Sequence, residues 1–362
     1  MKGLILVAGK GTRLQPLTYS QPKTLLPVAN KPVLAYCIQS LVEVGIGEIG
    51  IVLNPTQEKA IREAVGTGED FGVQLTYLYQ VEAKGIADAL KPAEPFIGDH
   101  PFILLLGDNL IQESLLALKR SLEEGNADGA IMLAKVANPS DYGIAQLEEG
   151  RVIEIEEKPK EPKSNWAVIG AYAFTPAIFK AVKAILPSAR GEYEITDAIQ
   201  WLINQGYTIA SVITRKHYSD VGNITRLLEA NRWMLAELAK TGSLPQGKAV
   251  INNCTLIPPV IIGDGCELTD STIGPYVSIA NDATVAHCHI ENSILLKGAT
   301  LISIPQKIKD SVFGQYSLVS GNMLGKEGDG TFESINYVLG DKSTVQPKRR
   351  AQEQTGQRKD NR

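Results

Sequence analysis

Two architectures in tandem are predicted by this chain: an α/β domain on a Rossmann-like, mostly parallel sheet, then a left-handed parallel β-helix. Three observations carry the prediction. Short β-rich runs alternate with amphipathic helical stretches up to about residue 240, and a six-residue repeat replaces them from about Ala249. The third is length: 362 residues exceed the roughly 250 to 300 at which a single hydrophobic core stops growing. The predicted units are residues 1–245, residues 246–346 and a tail, 347–362, whose near-absence of apolar residues reads as disorder.

In the first unit the run "GLILVAG" precedes a helix near Val33–Val44 that ends at Gly45. "EIGIVLN" precedes a helix near Gln57–Ala64, "VQLTYLY" one near Ile86–Leu90, and "FILLLGDN" closes on Asp108. Near-continuous apolar strands belong to a sheet covered on both faces, where ligands bind beyond the carboxyl ends of the strands. A hairpin, "YGIAQLEEGRVIEIEEKP", interrupts the series with its turn at "EEGR". Alternation places Ile153, Ile155 and Glu157 on one face, an inward parity that demands partners for the carboxylate of Glu157. Those partners are a ligand, or an internal pair with Lys158 or an arginine.

In the second unit Ile261, Ile273, Ile279 and Val285 recur in step while Gly, Asp and Asn fill the turns. The period weakens through "KGATLISIPQKIKDSVFG" and resumes in "INYVLGDKSTV".

With 36 Lys and Arg against 40 Asp and Glu, the chain has no basic surplus to attract nucleic acid. No apolar run reaches the roughly 20 residues of a bilayer span, the N-terminus does not read as a signal peptide, and the four cysteines show no CxxC spacing, so the reading is cytoplasmic with no membrane partner. In "AHCHI" alternation sends His287 and His289 to one face and Cys288 to the other, which argues against a metal site.

The candidate site begins at "AGKGTRLQPLT". A dinucleotide fingerprint requires glycine where Leu14 stands, and the GxxxxGK of a P-loop is absent. What remains is a strand emptying into Gly9 and Gly11, then Thr12 and Arg13, with Lys23 ten residues on in "PKTLLPV". Glycines let backbone amides approach an anion, and Arg13 and Lys23 supply fixed positive charge.

Together with "YLYQVEAKGIADAL", "LLLGDN", "DYGIAQL", "IEEKPKEPKSNWAVIGAYAF", "ARGEYEITDAI" and "YSDVG", in that order, the string resembles the sugar nucleotidyltransferases over residues 1–235, and among them the thymidylyltransferases with a C-terminal hexapeptide domain. The resemblance implies Mg2+-dependent transfer of a nucleotidyl group from dTTP, or UTP, to glucose 1-phosphate, with release of pyrophosphate. Ala8, Gly9, Gly11, Thr12 and Arg13 would cradle the triphosphate and Lys23 would serve the α-phosphoryl. Asp108 and Asp220 would hold Mg2+, and Gln80 and Gly85 would read the base. Gly143, Glu157, Lys158, Val168, Tyr172 and Arg190 would bind the sugar phosphate, with Lys158 and Arg190 answering its charge. The β-helix is assigned to homo-oligomer assembly.

Two positions depart from the thymidylyltransferase pattern. Ala8 replaces a glycine, and Thr24 replaces a glutamine that follows the lysine and is associated with holding the nucleotide. Competing readings are a uridylyltransferase, a bifunctional enzyme whose β-helix acetylates through His287 or His289, and a non-catalytic regulatory homologue.

Overall fold

The computed structural model describes residues 1–124, 127–321 and 334–346; the predicted tail lies outside them. The chain groups into two compact units, Met1–Met234 and Leu235–Arg362.

The first unit is built on nine strands: β1 (Lys2–Leu6), β2 (Glu48–Leu53), β3 (Gln74–Tyr79), β4 (Phe102–Leu106), β5 (Gly129–Lys135), β6 (Gly143–Glu148), β7 (Arg151–Glu157), β8 (Trp166–Phe174) and β9 (Ile209–Ile213). Their order across the sheet is β3-β2-β1-β4-β8-β5-β9-β7-β6. The pairings leave only β7 and β8 reversed against the other seven, so the sheet is mostly parallel. Helices α1 (Val33–Glu43), α2 (Glu58–Val65), α3 (Ile86–Leu90), α4 (Leu116–Glu123), α5 (Ala177–Ala184) and α6 (Ile195–Asn204) cover it, and α7 (Ile224–Lys240) follows β9.

Alternation along each strand feeds two cores. Leu4 and Leu6 of β1 pack with Phe102 and Leu104 of β4 under α5 and α6, whereas Ile5 and Val7 pack with Ile103 and Leu105 under α1 and α4. All but Leu6 among these eight residues are less than 5% exposed, which is why the strands read as continuous apolar runs.

The hairpin differs from strict alternation. A β-bulge between Val152 and Glu154 turns Ile153 out to 44% exposure, while Val152 and Ile155 stay buried and Glu157 keeps the inward parity of Ile155. One extra residue inverts every residue before it, so Ile153 was misplaced and Glu157 was not.

The second unit is a three-sheet β-helix of parallel strands, six, five and five to a sheet. Ile262, Ile279, Leu295 and Phe313 form one buried column. Ile261 pairs instead with Ser278, one residue out of the step assigned from sequence. The repeat does not lapse near Ser303: strands Thr300–Ile302, Lys307–Lys309 and Val312–Phe313 continue it, and the longer connection through Ile304, itself buried, hides the period. Inside the stack, the Oγ atoms of Ser271, Ser293 and Ser311 accept from the amides of Cys288, Ser311 and Tyr337, satisfying buried donors coil after coil.

Candidate active site

β1 and β4 lie side by side, so the loops leaving them are neighbours: Gly107 N donates to Leu6 O at 2.9 Å. Gly11 adopts φ 65°, and its carbonyl accepts from Leu14 N at 3.0 Å and from Thr18 Oγ1 at 2.7 Å, curling the loop into the short 3-10 turn Thr12–Leu14. Lys23 crosses over this loop. A methyl on Gly11 would stand 3.0 Å from Lys23 Cβ, and one on Gly9 3.0 Å from its Cε and 3.1 Å from its Nζ. Both glycines therefore leave room for the lysine to lie close over the loop. Beside the loop lies a cavity of about 700 Å3 lined by Ala8, Lys10, Asn54, Gln57, Val81 and Lys84.

Asp108 and Asp220 are brought together by an antiparallel ribbon of Asn109–Ile111 with Tyr218–Asp220, in which Asp220 faces Asn109 and Val221 N donates to Asp108 O at 2.8 Å. Asp108 is ion-paired with Lys23, and Asp220 accepts through both oxygens from Arg226 at the start of α7. Arg13, exposed, directs Nη2 to 3.3 Å from where a Cβ on Gly222 would stand, beside Asp220. The ribbon rests on Asn109, whose Nδ2 donates to Ile169 O at 2.8 Å, and on Gly170, where a Cβ would collide with that amide at 2.1 Å. The buried thiol of Cys37 lies beneath Asn109 O, and burial, aided by Asp108, pushes its pKa up to about 12. It is a packing group rather than a nucleophile.

Asp108 and Asp220 fit Mg2+ in donor type, both being hard oxygen ligands, and no cluster of three or more metal-binding side chains exists among the described residues. Such a pair leaves most of an octahedral shell to water and phosphate, which is how Mg2+ is commonly held.

A second cavity, of about 180 Å3, is lined by Asp108, Asp220, Gly143, Glu157, Val168 and Tyr172. Gly143 has no room for a side chain, since a Cβ would meet Thr196 Cγ2 at 2.7 Å and Glu157 Oε2 at 3.1 Å. Glu157 accepts from Thr196 Oγ1 at 3.3 Å and pairs with Arg190 at 3.2 Å. Burial foremost, and then Glu194, push its carboxyl above the usual range against the pull of Arg190 and Lys158. Burial likewise raises the Tyr172 hydroxyl.

Lys158 and Arg190 are arranged otherwise than in the reading that gave both to phosphate. Arg190 bonds Glu194 at 2.8 Å as well as Glu157, so its guanidinium is engaged by carboxylates. Lys158 is exposed in a left-handed conformation, φ 45°, where its amide donates to Tyr142 O at 2.9 Å. Gln80 is buried at the end of β3 with its amide nitrogen turned to Gly85 O and Asp88. Gly85, at φ 109°, is demanded by the chain crossing it, because a Cβ would lie 2.5 Å from Tyr193 O. Thr24 is fully buried with its hydroxyl unpartnered among the described residues, so it packs beneath the lysine turn and does not line the larger cavity.

Sequence reasoning missed Arg226, Tyr142, whose hydroxyl accepts from Arg226 at 3.2 Å, and the buried Glu194. Tyr142 and Glu194 lie within the strings "DYGIAQL" and "ARGEYEITDAI", beside residues that were singled out, whereas none of the strings contains Arg226. For Arg226 the signal was the carboxylate of Asp220, which needs a cation and finds one 6 residues on, at the start of α7.

Comparison with known proteins places this geometry in context. Over 361 residues, 96% of this chain and 99% of the relative, it is 38% identical to a glucose-1-phosphate thymidylyltransferase of Streptomyces antibioticus. It is also 40% identical over 61% of its length to 91% of a UTP–glucose-1-phosphate uridylyltransferase, AglF, of Haloferax volcanii. A Bacillus anthracis crystal structure with sucrose, assigned as a glucose-1-phosphate thymidylyltransferase, superposes with a TM-score of 0.61 at 35% identity, covering 64% of this chain and 94% of that one. The family model for nucleotidyl transferases matches residues 2–237, and the chain belongs to that family.

Proposed function

We propose that this enzyme, a sugar-1-phosphate nucleotidyltransferase, moves thymidylyl from dTTP to glucose 1-phosphate and releases pyrophosphate, with Mg2+ bound at Asp108 and Asp220. The observation that carries the reading is a convergence. The glycine loop with Lys23, the paired carboxylates and the cavity of Glu157 meet at the carboxyl ends of β1 and β4, where the reversed strand β8 contributes Val168 and Gly170.

The difficulty of the reaction is charge. Each pair of unit charges about 4 Å apart repels by about 4 kcal/mol at an effective dielectric near 20, so a phosphate oxygen reaches the α-phosphorus only where cations offset that cost. Arg13, planar and permanently charged, suits the β and γ phosphates at the mouth of the loop. Lys23, held against Gly9 and Gly11, lies where its ammonium can pass from Asp108 to the α-phosphoryl oxygens as charge builds on them. Bound Mg2+ supplies further charge neutralisation and orients phosphate oxygens. Glu157 accepts sugar hydroxyls in a pocket too narrow, through Gly143 and Tyr172, to let the acceptor turn.

A second reading, uridylyl transfer, has one observation in its favour: Thr24, the departure from the thymidylyl pattern, is fully buried and its hydroxyl meets no described partner, so no observed contact ties it to thymine. Pyrophosphate release measured for dTTP, UTP, GTP and ATP crossed with glucose, galactose and mannose 1-phosphates decides both questions. The highest kcat/KM is expected for dTTP with glucose 1-phosphate; a purine triphosphate or mannose 1-phosphate in first place overturns the assignment.

A further inference from the structure

Gln80 follows β3 directly and precedes Val81, which lines the 700 Å3 cavity. Its position is held from all sides. Gln80 N donates to Leu53 O at 2.9 Å, and Asn54 Nδ2 donates to the carbonyls of Gln80 at 3.4 Å and Val81 at 2.8 Å. The side chain is held as firmly. Its Nε2 donates to Asp88 Oδ2 at 3.0 Å and to Gly85 O at 3.3 Å, both of them acceptors.

Asp88 has its other oxygen on Lys91 Nζ at 2.9 Å, one turn along from α3, and Lys91 in turn sits 4.2 Å from the centre of the Tyr193 ring. Burial on its own raises the carboxyl, yet the bonds from Gln80 and Lys91 hold Asp88 below the usual carboxylate range. An ionised carboxylate has no proton to give, so the Gln80 amide meets it only with its NH2. Rotating the amide by half a turn would set oxygen against Asp88 Oδ2 and Gly85 O together. Consequently Oε1 is the one polar atom of this side chain that no described residue engages, and it can only accept.

We propose that Lys91, Asp88 and Gln80 form a specificity relay in which Asp88 positions the Gln80 amide to offer the nucleotide base an acceptor and never a donor. Thymine and uracil carry an imide N–H that such an acceptor satisfies; cytosine carries a lone pair at the same ring position and meets repulsion instead. The proposal rests on the proposed transfer from a pyrimidine nucleoside triphosphate, with Gln80 at the base, and extends it: the imide class is admitted as a whole, and Asp88 and Lys91 act through Gln80 without touching substrate.

The test is kcat/KM for dTTP, UTP, dCTP and CTP with glucose 1-phosphate, in the full-length wild type, Asp88→Asn and Lys91→Gln. In Asp88→Asn the lysine keeps the new carbonyl oxygen, which turns the asparagine NH2 toward Gln80 and favours the reversed amide, while Gly85 O still favours the original. The UTP to CTP and dTTP to dCTP ratios are therefore expected to fall about tenfold, the equivalent of one hydrogen bond. The loss for dTTP should appear in KM more than in kcat, at a melting temperature close to wild type. Lys91→Gln should shift the ratios the same way by less, and it decides the matter if Asp88→Asn does not fold. Ratios unchanged in the folded variants overturn the relay while leaving nucleotidyl transfer intact. A wild type that uses neither dTTP nor UTP overturns both readings.

Discussion

Replacing Gly9 by alanine separates what the glycine loop does for folding from what it does for chemistry. Gly9 lies outside the left-handed region, so a side chain strains no backbone there. Its added methyl would lie 3.0 Å from Lys23 Cε and 3.1 Å from Nζ, and no other heavy atom comes within 4 Å. Carbon contacts settle at about 3.5 to 4.0 Å, so the end of the lysine has to retreat by about 0.5 to 1 Å. Retreat at the tip of a flexible chain costs about 0.5 to 1.5 kcal/mol if a rotamer is strained, and a melting temperature within roughly 2 to 6 °C of wild type follows for a protein of this size. Displacing a charge of this kind by about 1 Å costs on the order of 100-fold in rate. Gly9→Ala should thus reduce kcat for pyrophosphate release by about 100-fold in a folded protein. Because the loss runs through the lysine, Gly9→Ala added to Lys23→Ala should cost little beyond Lys23→Ala alone. A Gly9→Ala enzyme with wild-type kcat, or a double variant that multiplies the two losses in full, refutes the reasoning.

Arg13→Ala and Asp108→Asn should each lower kcat/KM by about 1,000-fold without unfolding, as circular dichroism and activity would show together. Glu157→Gln should be more stable than wild type above about pH 5 and lose that advantage below about pH 4. The sign follows from the raised carboxyl: stability present while Glu157 is protonated is lost as pH rises through its folded value, and glutamine has nothing to lose. Thermal melts across that range test this, and the same variant should raise KM for the sugar phosphate by about tenfold through a lost charged hydrogen bond. If the β-helix assembles the oligomer, a chain ending near residue 245 should show a lower molar mass by light scattering than the full chain, and an unchanged mass counts against that role.

Much of the architecture was legible because burial leaves a periodic trace. β1, β2 and β4 are covered on both faces and so are apolar throughout, and the β-helix repeats because each coil stacks its aliphatic residues on the next. Legibility failed where inserted residues shifted the period. The bulge at Ile153 moves the register by one residue and the longer connection after Ile302 lengthens the coil, neither of which alternation can anticipate. At the site, Arg13, Lys23 and Asp108 were recognisable from local strings because each follows a buried strand or a glycine turn. Arg226, Glu194 and the Gln80 to Asp88 bond were not, since each partner comes from an element whose direction the local sequence does not specify.

By itself, then, the amino-acid order determined which residue types line the loop ends and that the second unit would coil, because hydrophobic periodicity and glycine placement are local properties. Only the tertiary structure decided which carboxylate each cation answers. Lys23 meets Asp108 85 residues further along the chain, and Arg190, beside Glu194 in sequence, also reaches back 33 residues to Glu157. Charge pairing depends on distances of a few ångströms between distant segments, and those distances exist only once the sheet has brought the segments together.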